Sequence, residues 1–136
     1  MSATTATPWP PGDLTAIGRA EELRLASLRP DGTLRPYVTI WVVRAGDDLF
    51  VRSARGAGNG WFAGAVRSGA GRIRAGGLER DVAFTRPSDD VHAAIDAAYH
   101  AKYDRYGEAV VGSVVGAQAG AVTLRLLPRS EGEGLA

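Results

Sequence analysis

Tyr37-Val38-Thr39-Ile40-Trp41-Val42-Val43-Arg44-Ala45-Gly46-Asp47-Asp48-Leu49-Phe50-Val51-Arg52-Ser53 is the stretch that decides the fold. Its first half alternates Val38, Ile40 and Val42 on one side with Trp41 and Val43 on the other, so both faces of the strand 37–44 are apolar. Such a strand sits in a barrel wall covered by a helix, or at a subunit interface. In so short a chain it points to a homodimer in which a partner surface buries Trp41 and Val43. Ala45-Gly46-Asp47-Asp48 closes a hairpin, and Leu49 to Ser53 returns.

The glycine-rich run Ala54-Arg55-Gly56-Ala57-Gly58-Asn59-Gly60 follows, and Trp61-Phe62 then opens a short helix over 61–67 with Asn59 as its cap. Upstream, Asp13 is the expected N-cap of a helix that turns Leu14 and Ile17 inward. Glu22 to Leu28 reads as a strand, and Arg29-Pro30-Asp31-Gly32-Thr33 as a hairpin turn, with proline fixing φ and glycine supplying the positive φ. Downstream, 71–75 and 78–85 are strands around a Gly76-Gly77 turn. Ser88 caps the longest helix, whose Val91, Ile95, Ala98, Tyr99, Lys102 and Tyr106 share a face by spacing. A short helix over 108–115 and a closing strand over 122–126 end the pattern. Short antiparallel strands on glycine turns, with helices gathered late, predict an α+β fold around a small barrel. Residues 1–11 read as a disordered tail, 12–129 as a single domain and 130–136 as a frayed end.

The 136 residues are 45% hydrophobic and 23% charged, with a net charge of +1. That suffices for one core and gives no bulk electrostatic attraction to nucleic acid. Lys102 is the only lysine beside abundant arginine, a bias a GC-rich genome also produces. There are no cysteines, which excludes disulfides, a thiol nucleophile and thiolate metal sites, and fits a cytoplasmic protein. No signal peptide or membrane-spanning segment is read.

Chemistry is expected around the glycine loop. It is no Walker loop, since no Lys-Ser/Thr follows, and no dinucleotide fingerprint, since the spacing is wrong and no βαβ unit surrounds it. Arg52, Ser53 and Arg55 nevertheless place forked donors beside flexible backbone N–H groups and a helix start, which makes a phosphate seat. Arg29 and Arg35 flank the first hairpin and converge with Arg52 and Arg55 if the two hairpins are neighbours; otherwise they are solvated turn residues. Arg72 and Arg74 share a strand face and read as solvated edge residues. His92 and His100 lie on one side of the long helix with no third ligand, so no metal site is expected. Tyr99, Tyr103 and Tyr106 read as core or as the edge of a ligand pocket. With His100, Tyr99 and Tyr103 are the proton-transfer candidates; no Ser-His-Asp order stands out.

The runs Trp41-Val42-Val43-Arg44, Gly46 to Ser53, Gly71-Arg72-Ile73-Arg74-Ala75-Gly76-Gly77 and Ala97-Ala98-Tyr99-His100-Ala101-Lys102-Tyr103 closely resemble a bacterial domain-of-unknown-function family of small proteins, over residues 14–129. The order of strand, arginine-bearing turn, strand, Ser-Arg-Gly loop, Trp-aromatic helix and hairpin is also similar to the split β-barrel of deazaflavin-dependent nitroreductases and flavin-binding oxidoreductases. That resemblance implies an antiparallel split β-barrel with peripheral helices and an FMN or deazaflavin cofactor. It implies that Arg35, Ser53, Arg55 and Trp61 hold the cofactor, and the phosphate seat read from the residues adds Arg52 and Gly56. The family's usual basic, serine-containing turn is here Leu28-Arg29-Pro30-Asp31-Gly32, with an acid in the serine's place. A flavin- or deazaflavin-dependent oxidoreductase acting on a small molecule is therefore the leading reading. A cofactor-free enzyme using the same cavity, or a non-catalytic ligand-binding protein, are the alternatives.

Overall fold

The computed structural model describes residues 8–54 and 60–129. Helix α1 spans Pro11–Arg19; strands β1 (Leu23–Ser27), β2 (Val38–Ile40), β3 (Val43–Ala45) and β4 (Asp48–Arg52) follow. Helix α2 (Gly60–Ser68) leads into the long hairpin β5 (Ala70–Ala75) and β6 (Leu78–Thr85). Helix α3 (His92–Tyr103), the short α4 (Glu108–Val111) and strand β7 (Thr123–Pro128) complete the domain. All strand pairs are antiparallel, in one seven-stranded sheet of order β2-β1-β5-β6-β7-β4-β3.

The order explains the doubly apolar stretch. β2 and β3 are the two opposite edges of the sheet, yet only Trp41 and Val42 separate them in the chain. The sheet must curl until its edges meet, which makes the α+β antiparallel split barrel. The expected single strand over 37–44 is thus two strands that pair with different neighbours, β2 with β1 and β3 with β4. Val42 enters the barrel core, whereas Val43 joins a second cluster with Phe50, Ile95, Tyr99 and Tyr103 beneath α3. Val43 is fully buried and Trp41 stacks on Tyr103 with ring centroids 3.9 Å apart. α3 therefore supplies, within one chain, the cover expected from a partner subunit.

The turns form where the sequence places them. Gly32 has φ 87° and its N–H donates to Arg29 O; Gly46 has φ 64°; Gly76 and Gly77 have φ 59° and 81°, values that suit a tight hairpin turn. At Gly76 a Cβ would also lie 2.4 Å from the Ala16 carbonyl oxygen, so α1 seats directly on this turn.

Two starts differ from expectation. α1 begins at Pro11, whose missing N–H costs nothing in a first turn, and Asp13 is not a cap. Its carboxylate instead takes both Nε and Nη2 of Arg80, at 2.7 and 3.2 Å. Trp9, in the stretch read as a tail, is buried and donates its indole N–H to Leu126 O at 2.8 Å. Ser88 makes no capping bond to backbone and donates to Asp90 instead. Among the described residues no helix is long and apolar enough to cross a membrane.

Candidate functional site

A cavity of about 410 Å³ opens between the β1–β2 connection and α2. Its wall carries Arg29, Arg35 and Arg67, with Gly64 and Ser68, and no carboxylate. Arg35 is held at its backbone, where its N–H donates to Ser27 O at 2.9 Å. Its Nε is buried and has no hydrogen-bond partner among the described residues. An orphaned buried guanidinium nitrogen at a cavity wall is costly unless something accepts from it. Arg29 is steadied by Nη1 bonds to Leu34 O at 2.9 Å and Thr33 Oγ1 at 3.3 Å, and its other nitrogens bond to no described residue. Arg67 comes from the last turn of α2 and makes no hydrogen bond or ion pair with a described residue.

Two local features keep the site cationic. Asp31, the acid of the turn, folds back on Thr33, whose hydroxyl and N–H donate to it at 2.6 and 3.0 Å. Those bonds hold its carboxyl below the usual pKa, with a smaller contribution from Arg29, and Asp31 itself does not line the cavity. At Gly64 a Cβ would meet Ser27 Oγ at 3.1 Å and Arg35 Nε at 3.4 Å, so a side chain here would crowd Ser27 and cover the arginine nitrogen, whereas glycine leaves it open. Three guanidiniums around a cradle without an acid suit a phosphate or carboxylate.

The structure separates the predicted residues. Arg35 lines the cavity. Ser53 is buried at the end of β4, with its N–H on Val122 O at 3.1 Å. Trp61 is half-buried in the first turn of α2 and packs edge-on to Phe62, at the start of the helix that carries Gly64 and Arg67. Arg55 and Gly56 lie outside the described residues.

Arg52 points the other way, into the protein. Its Nε donates to Thr123 Oγ1 at 2.8 Å and its Nη1 to Val114 O at 2.7 Å and to Asp96, while His92 Nδ1 lies 3.3 Å from Nη2. With its side chain fully buried, it fastens β4 to α3 and to the segment before β7 rather than facing a ligand. Arg29 and Arg35 therefore converge with Arg67, not with Arg52.

Tyr99 and Tyr103 are fully buried beneath the sheet, and desolvation raises both hydroxyl pKa values, that of Tyr103 to about 12. His100 is exposed and paired with Asp104 at 2.8 Å. None of the three lines the arginine cavity. The tyrosines are core because α3 presents Ile95, Tyr99 and Tyr103 at four-residue spacing to β3 and β4. Sequence reading passed over Arg67. Its signal was present: Gly64, Arg67 and Ser68 recur at helical spacing on one face of α2.

Residues 13–126 match the family described as "Uncharacterized protein conserved in bacteria (DUF2255)". No curated protein matches the sequence. Among solved structures, a candidate pyridoxamine 5′-phosphate oxidase of Listeria innocua superposes with a TM-score of 0.59 at 13% identity, over 88% of this chain and 92% of that one. An FAD-binding protein of Mesorhizobium loti gives 0.54 at 18% identity, over 93% and 95%. An F420 reductase gives 0.51 at 16%, over 89% and 94%. At such identities the likeness establishes the split-barrel fold.

Proposed function

The chain belongs to this bacterial family, and we propose that it is a cofactor-binding split-barrel oxidoreductase that seats the phosphate of a flavin or deazaflavin in the arginine cavity. The observation that carries this reading is the buried Nε of Arg35 at the cavity wall, without a partner among the described residues. The fold shared with an FAD-binding protein and an F420 reductase supports the choice of cofactor class.

In this reading Arg35 donates to the anion from a fixed position, and Arg29 and Arg67 close on it from the hairpin and from α2. Gly64 keeps the helix backbone near the anion. Arg55 and Gly56 are further contacts in this reading, and Trp61 supplies an aromatic wall at the start of α2. The bound cofactor would supply hydride transfer, while the protein supplies position and electrostatics.

The test is titration of the purified protein with FMN, FAD and F420, read by cofactor fluorescence. The expected result is saturable binding that Arg35→Ala weakens by about 1.5–3 kcal/mol, the scale of a charged hydrogen bond, or roughly 10- to 150-fold. Arg35→Lys should recover only part, because a point charge cannot reproduce the fork. No binding of any of the three at high micromolar concentration overturns the redox reading. Binding of small carboxylates alone would then favour a cofactor-free enzyme.

A further inference from the structure

A second cavity, of about 420 Å³, lies between the end of α1, β3 and α3. Gly18, Arg19, Val43, Arg44, Ala98 and Lys102 border it. α1 approaches β3 so closely here that a Cβ on Gly18 would lie 3.0 Å from Arg44 Cβ. Lys102, the sole lysine of the sequence, reaches the cavity half-buried. Its Nζ donates to Gly18 O at 2.9 Å and to Val42 O at 2.6 Å.

Two acceptors fix the orientation of this nitrogen. As an ammonium it has three hydrogens, two of them on the carbonyls. As a neutral amine it keeps both bonds, and its lone pair takes the remaining direction. Burial favours that neutral form, lowering the pKa to about 8, with smaller opposing effects from Glu21, which raises it, and Arg105, which lowers it. Roughly a tenth of the amine is then uncharged at pH 7, far more than for an ordinary lysine. Arg19 makes no hydrogen bond or ion pair with a described residue. The stem of Arg44 packs on Gly18, while its Nε donates to Gly46 O at 2.8 Å and an Nη lies 3.6 Å from the exposed Asp47. A nucleophilic amine thus shares a cavity with two guanidiniums.

We propose that this cavity takes a small aldehyde bearing a carboxylate as a reversible imine on Lys102, with Arg19 and Arg44 holding the carboxylate. The amine nitrogen bonds to the carbonyl carbon, and the carbonyl oxygen leaves as water with the two amine hydrogens. No electron is transferred and no other reactant is needed. When the imine takes up a proton, its one N–H can stay on Gly18 O, and Val42 O then shares the single Tyr103 hydroxyl hydrogen, at 3.1 Å, with Glu21 O at 2.7 Å. The step gives up one of the two lysine hydrogen bonds, which weighs against a permanent adduct and suits a reversible one.

The experiment treats the full-length protein with glyoxylate or acetaldehyde in the presence of cyanoborohydride, which reduces an imine to a stable adduct. Peptide mass spectrometry then reads Lys102 against the N-terminal amine as an internal reference. Glyoxylate should label Lys102 several-fold more than acetaldehyde does, relative to that reference. Arg19→Ala should reduce the preference, and Arg19→Ala/Arg44→Ala should abolish it, with circular dichroism checking that each variant is folded. If the double variant does not fold, the Arg19→Ala result decides. An unlabelled Lys102, a labelling preference equal to that of the N-terminal amine, or a preference unchanged in the arginine variants overturns the proposal.

Discussion

Replacing Asp96 by alanine removes the carboxylate from a fully buried guanidinium. Arg52 has a side-chain exposure of 0%, and Asp96 is its one ion-pair partner among the described residues. The other partners Thr123, Val114 and His92 would remain, so the geometry of Arg52 would survive while its charge lost its carboxylate. Breaking a buried pair from one side costs about 3–5 kcal/mol. Asp96 keeps 31% exposure, so water can enter the space it leaves, which puts the expected loss near the lower end, about 3 kcal/mol. Gly116 N–H also donates to Asp96 Oδ2 at 3.3 Å, and losing that bond adds a fraction. Against a typical total of roughly 5–15 kcal/mol the effect is large. Urea unfolding followed by tryptophan fluorescence and circular dichroism measures it. Asp96→Asn, which keeps an acceptor without the charge, should fall between wild type and alanine. Adding Arg52→Met to Asp96→Ala should restore part of the loss, because no buried charge remains. An Asp96→Ala protein within about 0.5 kcal/mol of wild type would refute the view that this pair fastens β4 to α3, since changes of that size are ordinary for surface sites.

Gly64→Ala should leave the domain folded, because the new Cβ would meet Arg35 Nε at an ordinary 3.4 Å and need only a small shift of Ser27 Oγ at 3.1 Å; set beside that Nε the methyl should crowd a bound anion, so cofactor titration should show weaker binding beside an unchanged circular dichroism spectrum. Stability should also depend on pH above neutrality. Burial lowers the Lys102 pKa from 10.5 to about 8, so between those values the unfolded chain binds more protons and stability rises with pH. Tyr103, raised from 10.0 to about 12, acts in the opposite sense: over that window the folded protein keeps a proton that the unfolded chain releases, and stability falls. Thermal melts from pH 7 to 12 should therefore lose the rise, and keep the fall, in Lys102→Met; an unchanged rise would count against the burial of this amine.

Local rules sufficed for much of this protein. The Asp-Gly and Gly-Gly turns required positive φ at Gly32, Gly76 and Gly77, and the alternation of Leu23 and Leu25 marked a strand with one face in the core. Arg35 was legible as a candidate because it follows a turn in a recognisable order of elements, and the fold sets it at a cavity wall. What the sequence left open depended on who neighbours whom. Apolar residues on both faces between Tyr37 and Val43 indicated burial, but periodicity cannot distinguish a partner subunit from α3, which arrives some fifty residues later in the chain. Nor could it reveal that the strand changes sheet edge at Trp41 and Val42, since that requires knowing which strands pair. Arg52 ends a strand with the same local signature as a ligand-binding arginine; only the docking of α3, which brings Asp96 and His92 onto it, turns it into an internal fastening. The same packing pins Lys102 between two backbone carbonyls, and α2 carries Arg67 to the hairpin that holds Arg29 and Arg35. Charge, turn and helix signals are properties of neighbouring residues, whereas desolvation and the convergence of side chains are created by residues distant in the chain.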